Sequence, residues 1–181
     1  MKRISVLMAT LFLCASAFGQ VPGVGLSAGL GGGLATGQGD FSDFSGYNLG
    51  LKAKLSLPAV PLRPVVVAGY NEFSRSGIAL KNRILTFGAG AEYSPISFGV
   101  VSPYLALDAA MNLLTTNARD AHGATRFGGG IGLGAELNPP AFPVSFDLEA
   151  KYRFNNLVGK METERGRNHL QVGVNVGVKL F

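Results

Sequence analysis

The chain has 181 residues, of which 47% are hydrophobic and 15% are charged, and it carries 26 glycines, no tryptophan and one cysteine. The apolar share excludes a disordered linker, and the glycine and proline content disfavours a helical bundle, because both residues destabilise helix interiors. An all-β domain is the expected class.

The first residues have the pattern of a secretory signal peptide, with a positive start at Lys2 and Arg3 and an apolar core over 4–14. The apolar run is shorter than the roughly 20 residues that a membrane-spanning helix needs. We predict a signal peptide over 1–19 and a mature domain over 20–181. The mature domain then has no cysteine for a disulfide. Its net charge falls from +5 to +3 when Lys2 and Arg3 are removed, too little to indicate a nucleic-acid partner.

After the signal peptide, apolar residues alternate with glycine or polar residues in eight successive segments, which is the period of a β-strand. The first predicted strand, about 23–35, sets apolar residues against glycine and serine, and the second, 47–57, sets them against Asn, Gly, Lys and Ser. The third, about 63–73, fits two opposite parities, and we favour the one that places Asn71 on the polar face.

The five remaining strands alternate more regularly and are predicted at 85–93, 104–113, 126–137, 144–155 and 169–180. The seventh gives the strongest signal, because its apolar residues face only polar or charged ones. Eight such strands predict an all-β fold, an eight-stranded antiparallel up-and-down β-barrel.

The connections alternate in composition. Beyond residue 22, the prolines lie in or beside every second connection, and the other connections hold none. These polar connections, 36–45, 74–82, 115–124 and 156–168, are rich in Gly, Ser, Asp and Asn. We therefore expect both chain termini at the proline-bearing end of the barrel and four polar loops at the other.

Two kinds of barrel fit this alternation. In a soluble lipocalin-like carrier the apolar face lines a cavity for an apolar ligand, whereas in a membrane barrel it meets lipid. Long strands and a glycine-rich polar face, which suits a narrow lumen, favour the membrane barrel. So do aromatic residues near the strand ends of the apolar face: Tyr47, Tyr93, Phe127, Tyr152 and Phe154.

In these features and in its final strand of alternating valines, the chain resembles the small eight-stranded outer-membrane barrels of Gram-negative bacteria, the group of the OmpA transmembrane domain, OmpX/Ail and the opacity proteins. The resemblance covers the whole mature chain. It implies location in the outer membrane, contact with membrane lipid and lipopolysaccharide, and insertion by the barrel-insertion machinery. The implied assembly signal is Val176, Val178, Leu180 and Phe181. Phe181 departs from the family pattern, because it lies on the parity opposite to Leu180.

The polar face carries nearly equal numbers of acidic and basic residues. An eight-stranded barrel has room only for its own side chains, so we predict that these groups plug the lumen as an ion-pair network. The predicted members are Lys52, Lys54, Glu92, Asp108, Arg126, Glu136, Asp147, Glu149, Lys151, Arg153 and Lys179. A narrow porin-like channel for small solutes or ions is the first alternative, and the soluble carrier is the second.

Outer-membrane lipid acyltransferases and deacylases with barrels of this size use a histidine with a serine and an acidic residue, which together activate a nucleophile. The chain has only His122 and His169, and sequence alone does not place Ser74, Ser76 or Glu162 beside either. We predict no catalytic residues, no cofactor and no metal site, because the mature chain lacks cysteine and the histidines are not at ligand spacing.

The polar loops are the remaining candidate surface. Their basic residues suit phosphates of lipopolysaccharide, and two phenylalanines in the first loop are expected to be exposed. The candidate surface contacts are Phe41, Phe44, Arg75, Lys81, Arg165 and Arg167, with an extracellular partner expected at loops 36–45 and 156–168. The predicted role is that of a non-enzymatic envelope-structural or surface-interaction protein.

Overall fold

The computed structural model describes residues 24–117, 123–140, 142–162 and 164–180, and in it eight strands form one closed antiparallel barrel. The strands are β1 (Gly25–Gln38), β2 (Phe44–Ser56), β3 (Leu62–Arg75), β4 (Ile78–Tyr93), β5 (Val101–Thr116), β6 (Ala124–Leu137), β7 (Val144–Val158) and β8 (Asn168–Lys179). Each strand pairs with its neighbours in sequence, and β1 pairs with β8 to close the cylinder. This confirms the predicted up-and-down topology. No helix in these ranges is long and apolar enough to cross a membrane.

The two ends of the barrel differ as predicted. The loop end comprises connections 39–43, 76–77, 117–123 and 159–167, and a short 3₁₀ helix, Gly39–Phe41, lies in the first of these. The proline end comprises connections 57–61, 94–100 and 138–143 together with the start of β1 and the end of β8.

The prediction of a loop over 74–82 is wrong, because β3 and β4 continue towards each other and are joined by Ser76 and Gly77 alone. Gly77 has a φ of +79°, a conformation that disfavours any side chain. Near these strand ends the outward positions include the polar or charged residues Ser74, Lys81 and Arg83, so the alternation that marks the rest of the strands is lost there.

The outward face of the barrel is apolar and the inward face is polar. Leu107 and Leu133, which point outward, are 66% and 63% exposed, whereas Glu92 and Asn71 are buried in the lumen. The favoured parity of the third strand is thus confirmed. A polar lumen also contradicts the alternative of a soluble carrier whose apolar face lines a ligand cavity.

The outward face has the dimensions of a membrane-spanning barrel. The strands contain 12–16 residues, against the roughly 9–11 that a tilted strand needs to cross the hydrocarbon. Near the ends of this face, Tyr47, Tyr93 and Phe127 are exposed, and the rings of Tyr152 and Phe154 lie 4.8 Å apart. These are the residues predicted to form interfacial girdles.

Glycine on the inward face makes room for large side chains that cross the lumen. Gly134 lies directly opposite Tyr104 in the β5–β6 pair. A Cβ atom at Gly134 would lie 2.2 Å from Cζ of the Tyr104 ring, well inside contact distance. The narrow lumen therefore requires glycine at this position.

Candidate functional site

The centre of the lumen is the ammonium group of Lys52, on β2. Its Nζ donates to Glu92 Oε1 at 3.0 Å, to Asp147 Oδ2 at 2.8 Å and to Glu149 Oε2 at 2.6 Å. The Tyr104 hydroxyl donates to Asp147 and lies 3.0 Å from Glu149 Oε2. All three ammonium protons thus have a carboxylate acceptor, which is the condition for burying such a charge.

Towards the proline end, the ion pairs continue through Lys54 and Arg63. Lys54 Nζ lies 2.8 Å from Glu92 Oε2 and 3.2 Å from Glu136 Oε2. Arg63, on β3, donates to Glu136 and lies 3.4 Å from Glu92 Oε2. The carboxylates of Glu92 and Glu136 are therefore shared between cations from two strands.

Towards the loop end, the ion pairs continue through β5 and β7. Lys151 Nζ lies 2.9 Å from Glu149 Oε1 and 3.0 Å from Asp108 Oδ2. Arg153 Nη1 donates to Asp108 Oδ1 at 2.9 Å. Cations and carboxylates thus alternate without interruption from Arg63 to Arg153.

We call this cluster the lumen network, and it contains five cations and five carboxylates. Its members are Lys52, Lys54, Arg63, Lys151, Arg153, Glu92, Asp108, Glu136, Asp147 and Glu149. Each of these ten charges lies within ion-pair distance of an opposite one, as buried charges require. The network is electrically neutral and joins strands β2 to β7.

The geometry differs from the sequence prediction in four residues. Arg63 and Tyr104 were missed: the parity of β3 was ambiguous, and a neutral tyrosine was not counted among the charges. Lys179 is exposed at the end of β8 and makes no ion pair within the described ranges. Arg126 lies outside the network, because it pairs with Glu164 in loop 159–167 at 2.8 Å.

The Arg126–Glu164 pair ties loop 159–167 to the barrel wall. Burial alone would raise the pKa of Glu164, but hydrogen bonds from Arg126, from Asn156 and from the backbone N–H of Met161 outweigh it and lower that pKa. Glu164 is therefore ionised at neutral pH and holds the loop against β6 and β7.

Three of the network carboxylates could together bind a cation. Oxygens of Glu92, Asp147 and Glu149 lie within 4.8 Å of one another, as the ligands of a metal ion do. The Lys52 ammonium donates to all three of them. A tethered organic cation thus occupies the position that a metal ion would take.

A layer of neutral polar side chains lies on the loop side of the network. Thr86 donates to Asn112, and Asn112 donates to the backbone carbonyl of Asn155. The Asn155 amide contacts Nδ1 of His169 at 2.8 Å, and Nε2 of His169 lies 3.4 Å from Gln171 Oε1. This chain of donors gives His169 the neutral tautomer with the proton on Nε2.

A cluster of apolar side chains lies above this polar layer. Its buried members are Ala35, Phe41, Phe73, Ile84 and Leu114, with Phe44 packed against them. The ring of Phe41 stacks on Phe44 at 4.6 Å and meets Phe73 edge-on at 5.0 Å. We call this group the apolar cap.

The prediction that Phe41 and Phe44 are exposed surface contacts is wrong. Phe41 is only 5% exposed, because the 3₁₀ helix after β1 turns its ring into the mouth of the barrel. Phe44 is partly buried beneath it. Sequence alternation gives no direction for a residue between strands, which is why the inward position of Phe41 escaped the prediction.

Two small cavities flank Lys52. One of about 70 Å³ lies on the loop side and is lined by Asn71, Thr86, Lys151 and other residues. One of about 20 Å³ lies on the proline side, next to Lys54, Glu136 and Ser145. At roughly 10–15 Å³ per water position, the larger cavity has room for about five waters and the smaller one for one or two. Lys52 and Asn175 line both cavities.

The basic residues predicted at the loop end lie in different environments. Arg75 pairs with Asp43 at 2.9 Å, and Lys81 pairs with Glu72 at 2.7 Å. Arg165 is exposed, whereas Arg167 is only partly exposed. Loop 159–167 also contacts loop 39–43, because the Gly166 N–H donates to Asp40 Oδ2 at 3.2 Å.

Among the residues that the structure describes, no candidate triad is assembled around His169. Its side-chain neighbours are Asn155, Gln171 and Phe73, while Ser74, Ser76 and Glu162 are exposed. His122 lies outside the described residues.

Of the implied assembly signal, Val176, Val178 and Leu180 are exposed on the outward face. Leu180 continues the sheet, since its N–H donates to the carbonyl of Leu26 at 2.8 Å. Phe181 and the predicted signal peptide lie outside the described residues.

Similarity to known proteins is confined to solved structures, since no family model matches the chain and no curated protein does. The structure of Neisserial surface protein A (NspA) aligns with a TM-score of 0.64 at 19% identity, over 87% of this chain and 97% of that one. A major outer membrane protein from Thermus thermophilus aligns with a TM-score of 0.55 at 13% identity, over 87% and 99%. The outer membrane enzyme PagL aligns with a TM-score of 0.53 at 14% identity, over 84% and 98%.

These similarities concern the fold. The chain has the architecture of the small eight-stranded outer-membrane barrels, and this confirms the resemblance seen in the sequence. The predicted location in the outer membrane agrees with the apolar outward face and with these neighbours. Since one neighbour is an enzyme and the identities are low, the architecture leaves the role open.

Proposed function

We propose that this chain is a non-enzymatic outer-membrane barrel with a closed lumen, acting as an envelope-structural or surface-interaction protein. The observation that carries the proposal is the neutral lumen network of five cations and five carboxylates, with the apolar cap above it. An ion crossing this lumen would have to break buried ion pairs and then pass a group of packed aromatic and aliphatic side chains.

The cost of that passage supports closure. Separating one partner of a buried ion pair typically costs about 3–5 kcal/mol. The Lys52 ammonium contacts three carboxylates, so its displacement lies at the upper end of that range. The apolar cap adds a region with no polar group to replace the hydration shell of an ion.

A surface role is supported at the loop end. Loops 39–43 and 159–167 are fixed to each other and to the barrel wall by Asp40, Arg126 and Glu164, so they present an ordered surface. Met161 and Arg165 are exposed on it. A neighbour with 15% identity and a TM-score of 0.51, Ail of Yersinia pestis, was solved with the heparin analogue sucrose octasulfate. For the present chain, this supports a search for polyanionic saccharide partners.

A narrow channel is the second candidate, and the two cavities on either side of Lys52 favour it. In that case Lys52 is the barrier between two hydrated spaces. Movement of its side chain would have to join them, and the apolar cap would have to open as well.

Conductance of the purified barrel in planar lipid bilayers separates the two candidates. The closed barrel predicts no steady unitary current for the wild type at neutral pH and physiological salt. Steady currents in the wild type that change in size in Lys52→Met or Asp147→Asn, but not in the control, would overturn the proposal in favour of the channel. Lys179→Met removes the same charge from an exposed position and serves as the matched control. The heat-dependent mobility of each sample on SDS gels verifies that it is folded.

The non-enzymatic part of the proposal is supported by the surroundings of His169, whose polar partners are amides rather than a hydroxyl and a carboxylate. Its test is the mass profile of membrane glycolipids from cells that express the chain. An altered profile that reverts in His169→Ala or His122→Ala would show an activity and refute this part.

A further inference from the structure

A group of polar and aromatic side chains lies on the outer surface of the barrel, at the border between the apolar band and the loop end. Tyr47, Glu72 and Arg83 are directly opposite one another across β2, β3 and β4. Tyr70 and Lys81 flank this row on β3 and β4. We call these five residues the interface row.

The interface row points away from the lumen. Its chain neighbours Asn71, Phe73, Asn82 and Ile84 are the buried, inward-facing residues of β3 and β4. Lys81 and Arg83 themselves have side chains 49% and 50% exposed. One step towards the proline end, the outward positions are Leu49 and Leu85, which are apolar and exposed. The row therefore marks the upper edge of the apolar band.

Glu72 holds the two cations side by side. Its Oε1 accepts from Lys81 Nζ at 2.7 Å, and its Oε2 accepts from Arg83 Nε at 2.9 Å and from the Tyr70 hydroxyl at 2.9 Å. The Glu72 side chain is only 12% exposed, whereas both cations are half exposed. One carboxylate with two cations leaves the row a net positive charge.

Arg83 retains donors for a ligand. It contacts Glu72 through Nε, and its two terminal nitrogens make no hydrogen bond to any residue in the described ranges. Lys81 is fixed by its backbone, because its N–H donates to the Asn117 side chain at 2.7 Å. A planar pair of free N–H groups beside an ammonium is the arrangement that binds phosphate oxygens.

The two strands that follow β4 carry no charge at this level. Across the sheet from Arg83, β5 presents Thr115, and the next strand presents Thr125. Both are exposed, neutral residues. The rings of Tyr47 and Tyr70, 6.4 Å apart, lie at the depth where amphipathic aromatic rings are favoured in membranes.

From these observations we infer that the interface row is a binding site for the phosphorylated headgroup of a membrane glycolipid in the leaflet at the loop end. Arg83 and Lys81 bind the phosphate, Tyr47 and Tyr70 contact the sugar and upper acyl region, and the acyl chains lie along Leu49 and Leu85. The apolar surface directly below the cations is the reason for choosing a lipid over a free anion. The inference rests on the proposed membrane location but not on a closed lumen.

The test is native mass spectrometry of the folded barrel in a zwitterionic detergent, with diphosphorylated lipid A and an uncharged glycosyl diacylglycerol as probes. We expect the wild type to retain the phosphorylated lipid in preference to the uncharged one. Lys81→Gln with Arg83→Gln should weaken that retention at least about tenfold, the factor expected for losing a charge-assisted contact. Arg83→Lys keeps the charge but loses the paired donors and should give a smaller loss.

The matched control is Lys160→Gln with Lys179→Gln, which removes two exposed positive charges, one from loop 159–167 and one from the end of β8. It should change retention by less than about twofold, since these residues lie outside the row. Equal losses in both double variants, or no preference for the phosphorylated lipid in the wild type, would overturn the inference. So would full displacement of the lipid by inorganic phosphate, because the site would then bind a free anion. Bilayer conductance of the Lys81/Arg83 variant should equal that of the wild type, so a failure of lipid binding is distinguishable from a failure of lumen closure.

Discussion

The substitution Lys52→Met removes the central cation of the lumen network while keeping a side chain of similar length. It leaves Glu92, Asp147 and Glu149 facing one another within 4.8 Å, without the ammonium that contacts all three. Breaking one buried ion pair costs about 3–5 kcal/mol, and here three contacts are lost at once. We expect the free energy of unfolding to fall by about 5 kcal/mol at neutral pH.

Removing one of the repelling carboxylates should recover part of that loss. The double variant Lys52→Met/Glu149→Gln restores charge balance in the network and should be more stable than Lys52→Met alone. The two effects are therefore expected to be non-additive, as for residues in direct contact.

The assay is a urea titration of the barrel in lipid vesicles, read by the heat-dependent mobility shift on SDS gels, since the chain has no tryptophan to report by fluorescence. Lys179→Met is the control and should shift the midpoint little, because Lys179 is exposed and unpaired within the described ranges. Equal stability of Lys52→Met and Lys179→Met would refute the account of the lumen network.

Three further substitutions test other parts of the structure. Gly134→Ala places a methyl group against the Tyr104 ring and should lower the free energy of unfolding by about 1–3 kcal/mol; an unchanged urea midpoint would contradict this packing. Ile84→Ala opens a cavity in the apolar cap and should cost about 2–5 kcal/mol by the same titration. Because the pKa of Glu164 lies below its ordinary value of 4.5, its pairing with Arg126 stabilises the folded barrel above about pH 4.5. The stability difference between wild type and Glu164→Gln should therefore shrink as the pH falls further, and a difference that grows would contradict the pairing.

The alternation of the sequence predicts those parts of the barrel where the outward residues are apolar and the inward residues are polar. β7 is the clearest case, because its outward residues meet lipid and its inward residues belong to the lumen network. Where the outward face leaves the apolar band, the contrast disappears. This is why the sequence predicts a loop at the start of β4, where Lys81 and Arg83 point outward.

The structure brings nine of the eleven predicted lumen charges into the lumen network and adds Arg63. Alternation places Lys52 and Glu149 on the inward face but does not give their partners, which come from strands distant in sequence. Arg63 was missed because valines occupy both faces of the strand that follows it. The inward position of Phe41 depends on a 3₁₀ helix that strand periodicity does not describe.

The central claim is that the apolar face meets lipid and the polar face lines a closed lumen, and neighbouring positions on β5 test it most directly. Because Cys14 is the only cysteine of the chain, single cysteines at Leu107 and Ala106 can each carry a fluorophore in the barrel lacking the signal segment. Leu107 is 66% exposed on the outward face and Ala106 is 3% exposed on the inward face. The account predicts strong quenching at Leu107 by nitroxide-labelled acyl chains and little quenching at Ala106. Equal quenching at both positions, or quenching only at Ala106, would contradict it.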